Sequence, residues 1–155
     1  MQKKIKLLSL DVDGVLTDGG VYLTEKGDLF KKFNVKDGVG IRQAVKAGIH
    51  VAFISAGKSK KLLNARAKML GVKFVYAGDD EKLTVMNKWC SKLKIGLDEV
   101  AHVADDINDL NLLSAVGFSA CPADSVEKVK KVAKVILKKK GGDGCVREFI
   151  DNYVL

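Results

Sequence analysis

The stretch "LSLDVDGVLTDGG" (residues 8–20) decides how this chain is read. An apolar run stops at Asp11 and Asp13, with Val12 between them and Gly14 directly after. In an extended segment residues i and i+2 point the same way, so the two carboxylates address one small volume while Val12 turns into the core. Like charges that close repel unless a cation joins them or one of them holds a proton. A lone DxD also arises where aspartates cap turns or helices, so the rest of the chain has to supply the context.

Working outward, apolar runs and helical periodicity alternate. The pattern predicts strands at Lys4–Leu10, Val51–Ser55, Phe74–Tyr76, Val100–Ala104, Phe118–Ala120 and Val135–Leu137. Short alternating segments at Val21–Leu23 and Leu29–Phe33, around the turn "TEKGD", predict a β-hairpin. Helices are predicted at Asp37–Ala47 (Asp37 as N-cap, Gly48 as stop), Ser59–Leu70, Asp80–Lys92, Asn108–Val116, Ser125–Lys131 and Asp143–Tyr153. Such alternation implies an α/β fold: a doubly wound, Rossmann-like parallel sheet with helices on both faces and a hairpin inserted after the first strand. In that architecture working residues collect beyond the carboxyl ends of the strands. Three predicted strand ends carry polar groups: Asp11 and Asp13, then Ser55, then Asp105 and Asp106.

Composition narrows the class. A chain of 155 residues suits one domain. The net charge of +8 comes mostly from lysine, with Arg42, Arg66 and Arg147 the only arginines. Nucleic-acid surfaces use arginine forks and aromatic stacking, so no nucleic-acid partner is expected. A lysine-rich surface instead attracts anionic small molecules. No apolar run is long enough to span a bilayer, so no membrane partner is expected either. The basic start "MQKKIKLLSLDVD" runs quickly into aspartates, which argues against a secretory signal and for the cytoplasm. Cys90, Cys121 and Cys145 are scattered without metal-binding spacing and read as buried free thiols.

The chemistry open to these positions is specific. A hard cation with oxygen ligands, most simply Mg²⁺, suits Asp11 and Asp13 with Asp105 and Asp106 completing the set. One carboxylate could attack phosphorus while its neighbour, protonated, donates to the leaving oxygen. Ser55 could hydrogen-bond a phosphoryl oxygen, and a lysine could neutralise the remaining charge. Taken singly, Ser55 reads as an N-cap, Lys82 as a solvated helix lysine, and Asp109 as a first-turn acid. The joint arrangement is far more specific than any member.

Here the sequence resembles a known family. "DVDGVLTDG" (11–19) resembles the first motif of the haloacid dehalogenase superfamily of phosphohydrolases. Ser55 after "VAFI" resembles the second, Lys82 in "DDEKL" the third, and "ADDINDL" (104–110) the fourth. "FNVKDGVGI" (33–41) and "KKKGGDGCVREF" (138–149) are similar to the capless subfamily that dephosphorylates 3-deoxy-octulosonate 8-phosphate, and to relatives acting on nine-carbon sialic acid phosphates. The resemblance implies that Asp11 is the nucleophile and Asp13 the general acid and base. It implies that Asp13 also binds Mg²⁺ through its carbonyl, with Asp105 a second carboxylate ligand and Asp106 a supporting one. Ser55 and Lys82 would hold the phosphoryl group. It further implies a homotetramer assembled through the hairpins (about residues 20–33), with a neighbour covering each site and a role in bacterial surface-polysaccharide synthesis. A flexible glycine-rich tail carrying Gly142, with Arg147 beyond it, would reach a substrate. Without the resemblance, Arg147 reads instead as part of a surface ion pair.

Two departures stand out. "SAGKS" (55–59) puts Ala56 and Gly57 where octulosonate phosphatases usually have Gly-Arg, so Lys58 becomes the candidate substrate contact. Ala104 replaces the usual glycine of the fourth motif. They keep a second reading open: a catalytically weak assembly module like the C-terminal domain of animal sialic-acid cytidylyltransferases. The retained acids and Lys82 favour catalysis. "AGKS" (56–59) lacks the first glycine of a P-loop, and a two-component receiver domain needs an aspartate where this chain has Ser55. His50 and His102 read as structural, and Met86 and Trp89 as core.

Overall fold

The computed structural model describes residues 4–155; the basic start Met1–Lys3 lies outside the described residues. β1 (Leu7–Leu10) is buried at every position, as a central parallel strand covered on both faces must be. The hairpin follows it as β2 (Tyr22–Leu23) and β3 (Leu29–Phe30), paired antiparallel. After α1 (Val35–Lys46) the chain alternates through β4 (His50–Ser55), α2 (Lys60–Leu70), β5 (Phe74–Ala77), α3 (Lys82–Leu93), β6 (Val100–Val103), α4 (Leu110–Ala115), β7 (Phe118–Cys121), α5 (Glu127–Lys130), β8 (Val135–Ile136) and α6 (Cys145–Phe149).

The main sheet has six strands in the order β5-β4-β1-β6-β7-β8. Every pairing in it is parallel. The chain winds outward from β1 through β4 to β5, then returns to β6 on the other side. The strand order therefore reverses at β1, and ligands of such sheets bind beyond the carboxyl ends at that reversal.

Strand periodicity sorts the two faces. Leu8, Leu10, Phe53, Ala101 and Val103 pack with α1, α2 and α6. Leu7, Ala52, Ile54 and Val100 pack with α3 and α4. Ser9 and His102 lie in register across β1 and β6 and are fully buried, which makes them polar exceptions inside the sheet.

Most predicted elements are present, with shifted ends. α1 begins two residues before Asp37, because Asn34 is the cap: its side chain accepts the N–H of Lys36 at 2.8 Å. Asp37 is instead buried inside α1, where it accepts the N–H of Arg147 at 2.8 Å and so caps α6 from a distance. The predicted helix at Asn108–Val116 divides into a 3₁₀ turn, Ile107–Asp109, and α4.

The tail is the principal correction. The sequence reading made Gly141–Gly144 a flexible strap; the structure packs it against the turn that follows β1. Gly142 N–H donates to Val15 O at 3.0 Å, and Asn34 Nδ2 donates to Gly142 O at 3.2 Å. Gly141 N–H donates to an Asp124 carboxylate oxygen at 3.0 Å. A side chain at Gly141 would collide with the Gly14 carbonyl, and one at Gly142 with the Thr17–Asp18 backbone. These glycines serve close approach rather than flexibility.

Burial, partly offset by the backbone N–H groups of Arg147, Val146 and Gly144, pushes the Asp37 carboxyl from 3.8 up to about 6. A folded-state value above the unfolded one gives stability that is full below about pH 4 and lost as pH rises through about 6. Asp37→Asn keeps an acceptor for Arg147 without the buried charge. Its stability relative to wild type should therefore rise by on the order of 3 kcal/mol between pH 4 and pH 7, read by urea unfolding. A difference that stays constant with pH would refute the assignment.

Candidate active site

Asp11 directly follows β1, and its N–H donates to Val103 O at 3.0 Å, which fixes it between β1 and β6. The turn Val12–Leu16 then leaves helical geometry at Asp13 and at Gly14, whose φ is +84°. The Thr17 hydroxyl closes this turn by accepting from Gly14 N–H at 3.3 Å and Gly19 N–H at 3.2 Å. A cleft of about 240 Å³ opens above, lined among others by Asp11, Asp13, Ser55, Gly57, Asp105 and Asp106. A second cavity, lined by residues such as His50, Lys73 and Phe74, lies at the amino ends of β4 and β5 and gathers no carboxylates.

Lys82, the first residue of α3, reaches the cleft floor. Its ammonium donates to Asp11 Oδ1 and to Asp109 Oδ2, each at 2.8 Å. Burial opposes the charge on Lys82, but Asp11 and Asp109 outweigh it and raise its pKa. Asp109 is also fully buried; His102 and Lys82 overcome that burial and hold its carboxyl below the usual range. Asp11 is raised, by burial first and by Asp109 second, against the pull of Lys82. Burial, then the charge of Asp11 and a hydrogen bond with it, push Asp105 up to about 8.

The cleft therefore carries a surplus of acid. Among the described residues, Asp11, Asp13, Asp105, Asp106 and Asp109 meet two lysines, Lys82 and Lys31, the latter bonding Asp13 Oδ1 at 2.5 Å, and His102 bonds Asp109. Among the described residues, no three or more His, Cys, Asp or Glu side chains form an assembled metal group. Two side-chain carboxylates with a backbone carbonyl would still suit a hard divalent cation. Gly14 makes room for this. A β-carbon there would overlap the Asp105 carboxylate, so only glycine lets Asp105 lie against the Asp13–Gly14 backbone.

The structure brings Asp11, Asp13, Ser55, Asp105 and Asp106 to one cleft with Lys82 beneath. Ser55 Oγ accepts from Gly57 N–H at 3.0 Å, which leaves its own proton free to donate into the cleft. A β-carbon at Gly57 would lie 3.2 Å from the Ser55 hydroxyl, so a side chain there would press on Ser55. Ala104 is fully buried against Leu113, Cys121 and Val129, so its extra methyl enters the core rather than the site. Lys58 is exposed at the rim, in a neighbouring groove shared with Leu29, Lys60 and Lys61.

Gly142 and Arg147 do not join the cleft lining. Gly142 is bound into its own fold, and Arg147 Nε donates to both Asp151 carboxylate oxygens, at 2.9 and 2.8 Å, one turn along. Lys31, on the hairpin's return, escaped the sequence reading, because nothing local ties it to Asp13. Asp109 reads from the sequence as a first-turn acid or as one of the retained acids that favour catalysis, without a partner; the structure pairs it with Lys82 and His102. Its signal was its place in "DDIND", four residues after Asp105.

A parallel sheet reversing at β1, with an aspartate at that strand's end held by a buried lysine, defines a haloacid dehalogenase-type hydrolase. A model of haloacid dehalogenase-like hydrolases matches residues 54–149, and the chain belongs to that family. Within it, the chain is 40% identical over 153 residues to the 3-deoxy-D-manno-octulosonate 8-phosphate phosphatase KdsC of Escherichia coli, covering 99% of this chain and 81% of the relative. The Yersinia pestis protein of the same name is 38% identical over 151 residues, covering 97% and 80%. A crystal structure of the Moraxella catarrhalis phosphatase, in complex with magnesium ion, phosphate ion and KDO, matches with a TM-score of 0.91 at 36% identity, covering 95% of this chain and 84% of that one.

Gly14→Ala should test the close approach of Asp105. Left-handed strain alone costs about 1–2 kcal/mol. Displacement of Asp105 should add an activity loss that persists in the folded fraction. Melting temperature and phosphate release, measured together, separate the two; a stable variant with wild-type turnover would contradict the geometry.

Proposed function

We propose that this chain is a Mg²⁺-dependent phosphomonoester hydrolase acting on 3-deoxy-D-manno-octulosonate 8-phosphate through an aspartyl-phosphate. The observation that carries the reading is the Asp11 carboxylate, fixed at the end of β1 by Lys82 in a cleft that Asp13, Ser55 and Asp105 also line. The names of the relatives supply the substrate.

In this mechanism Asp11 attacks phosphorus, and the bond from phosphorus to the sugar oxygen breaks. Asp13, protonated, gives its proton to that leaving oxygen. As a carboxylate it then takes a proton from water, which attacks the phosphoaspartate, frees phosphate and regenerates Asp11. Ser55 donates to a phosphoryl oxygen, and Lys82 neutralises charge at the attacking carboxylate. Lys31 holds Asp13 at the cleft's edge. Asp11 and Asp105, with the Asp13 carbonyl and support from Asp106, are the residues that would hold Mg²⁺. When bound, the ion supplies positive charge against the phosphoryl oxygens.

The cleft volume, about 240 Å³, is below the usual range for whole ligands and suits the phosphoryl end. The sugar acid would lie outside it, toward Lys58, which the lysine-lined groove makes the candidate partner for a carboxylate. We assign no substrate contact to Gly142 or Arg147. Residues 1–155 would work as one capless domain. Buried free thiols at Cys90, Cys121 and Cys145 suit a reducing compartment, which supports the cytoplasm. The product would enter bacterial surface-polysaccharide synthesis.

A homotetramer is part of the proposal. Val21, Leu23 and Phe30 on the hairpin are 75%, 61% and 52% exposed, an apolar patch that a second copy could cover. Leu23→Ser with Phe30→Ser should lower the assembly state by sedimentation while leaving the fold intact. An unchanged mass would remove the hairpin from the interface.

Asp11→Asn should reduce turnover to background while circular dichroism stays native. The wild type should release phosphate from the octulosonate ester faster than from two nonulosonate 9-phosphates or hexose phosphates, and chelation should stop it. A preference for a nine-carbon ester would change the substrate. Undiminished turnover in Asp11→Asn would end the mechanism.

A further inference from the structure

Ser9, His102 and Asp109 form a polar stripe through a face that Leu7, Val100, Met86 and Leu112 otherwise make apolar. All three are essentially unexposed. Polar groups at such positions are costly unless hydrogen-bonded, and these are. His102 Nε2 lies 2.6 Å from Asp109 Oδ1, and Nδ1 lies 3.1 Å from Ser9 Oγ and 3.2 Å from Ser9 O. Asp109 is held ionised, so it can only accept, and Nε2 must carry the proton between them. Nδ1 then accepts from the Ser9 hydroxyl or, if protonated too, donates to the Ser9 carbonyl. The opposite oxygen of Asp109 receives Lys82, which in turn donates to Asp11. The buried chain Ser9–His102–Asp109–Lys82 thus ends on the attacking carboxylate.

We infer that His102 is a positioning residue: through Asp109 it fixes Lys82, and through Lys82 it fixes the rotamer of Asp11. The inference rests on the phosphatase reading above, because it needs Asp11 to be the nucleophile. A carboxylate held on one oxygen by His102 cannot swing fully onto Lys82. The ammonium therefore stays shared between Asp109 and Asp11 instead of collapsing onto either. An apolar residue at 102 would leave Asp109 Oδ1 buried without a donor, and Asp109 would turn toward Lys82 to recover one. Networks of this kind act as units, so the effect should appear at Asp11 although His102 touches no substrate.

The test compares His102→Leu, His102→Gln and Asp109→Asn, alone and combined, on whichever phosphomonoester the wild type hydrolyses. A wrong substrate then shows in the wild type, and a wrong role for His102 only in the ratio of variant to wild type. His102→Leu should lower kcat on the order of tenfold to a hundredfold with KM little changed. His102→Gln, whose amide nitrogen reaches the Nε2 position, should recover most of that loss. In the Asp109→Asn background His102→Leu should add almost nothing. Wild-type kcat in His102→Leu, equal losses in the Leu and Gln variants, or multiplicative losses in the double variant would each overturn the inference and leave His102 a core residue. Should His102→Leu fail to fold, His102→Asn replaces it. Its amide meets Ser9 but falls short of Asp109, so it should show the same kcat loss, and wild-type kcat there would equally overturn the assignment.

Discussion

The buried ammonium of Lys82 is the constraint on which the rest depends. It sits at the first residue of a helix, where the dipole disfavours a cation, and only 4% of its surface reaches solvent. Either fact alone would select against lysine. It is held there by two carboxylates at 2.8 Å, Asp11 from the end of β1 and Asp109 from the turn after β6. Those partners come from both sides of the strand-order reversal, and α3 follows the outer strand β5. One side chain therefore joins the three segments that a doubly wound sheet brings to its switch point. Removing one acid would strand the charge, and removing the lysine would leave two buried acids in conflict.

The turn after β1 imposes the second constraint. Asp13 can enter the cleft only if the chain reverses sharply at Gly14, and the same missing side chain admits the Asp105 carboxylate. Gly141 and Gly142 then press onto the turn from its other side, with Asn34 bonding the tail in place. The turn is thus clamped between an active-site acid and the C-terminal segment, although those lie far apart in sequence. Asp37 completes the clamp by capping α6 from inside α1. The tail packs directly on the turn that carries Asp13 and Gly14.

What the sequence disclosed follows the range of each interaction. Strand alternation, the helices and the carboxylates at strand ends were legible because periodicity and i, i+2 geometry are local. The start of α1 was misplaced because two acceptable caps, Asn34 and Asp37, stand three residues apart. The choice between them is made by α6, more than a hundred residues on. The glycines of the tail were read as freedom of movement, since composition cannot distinguish a flexible glycine from one needed for contact. His102 was read as structural, a reasonable reading for a histidine in an apolar strand. Its partners Ser9 and Asp109 meet it only through the β1–β6 register and the turn after β6. Ala104 raised a concern that the fold removes, because its methyl faces the core.

The hairpin joins two features that no local pattern connects. Along β3 and the residue after it, side chains alternate. Phe30 is half exposed, whereas the Lys31 side chain turns inward onto Asp13 and is only 11% exposed. Adjacent residues thus carry an apolar surface outward and an ammonium inward to the proposed general acid. In the proposed assembly, a neighbour covering Phe30 would also restrict the return strand that aims Lys31. In that proposed assembly, covering Phe30 would order the backbone from which Lys31 reaches Asp13, because the two residues are neighbours in the chain.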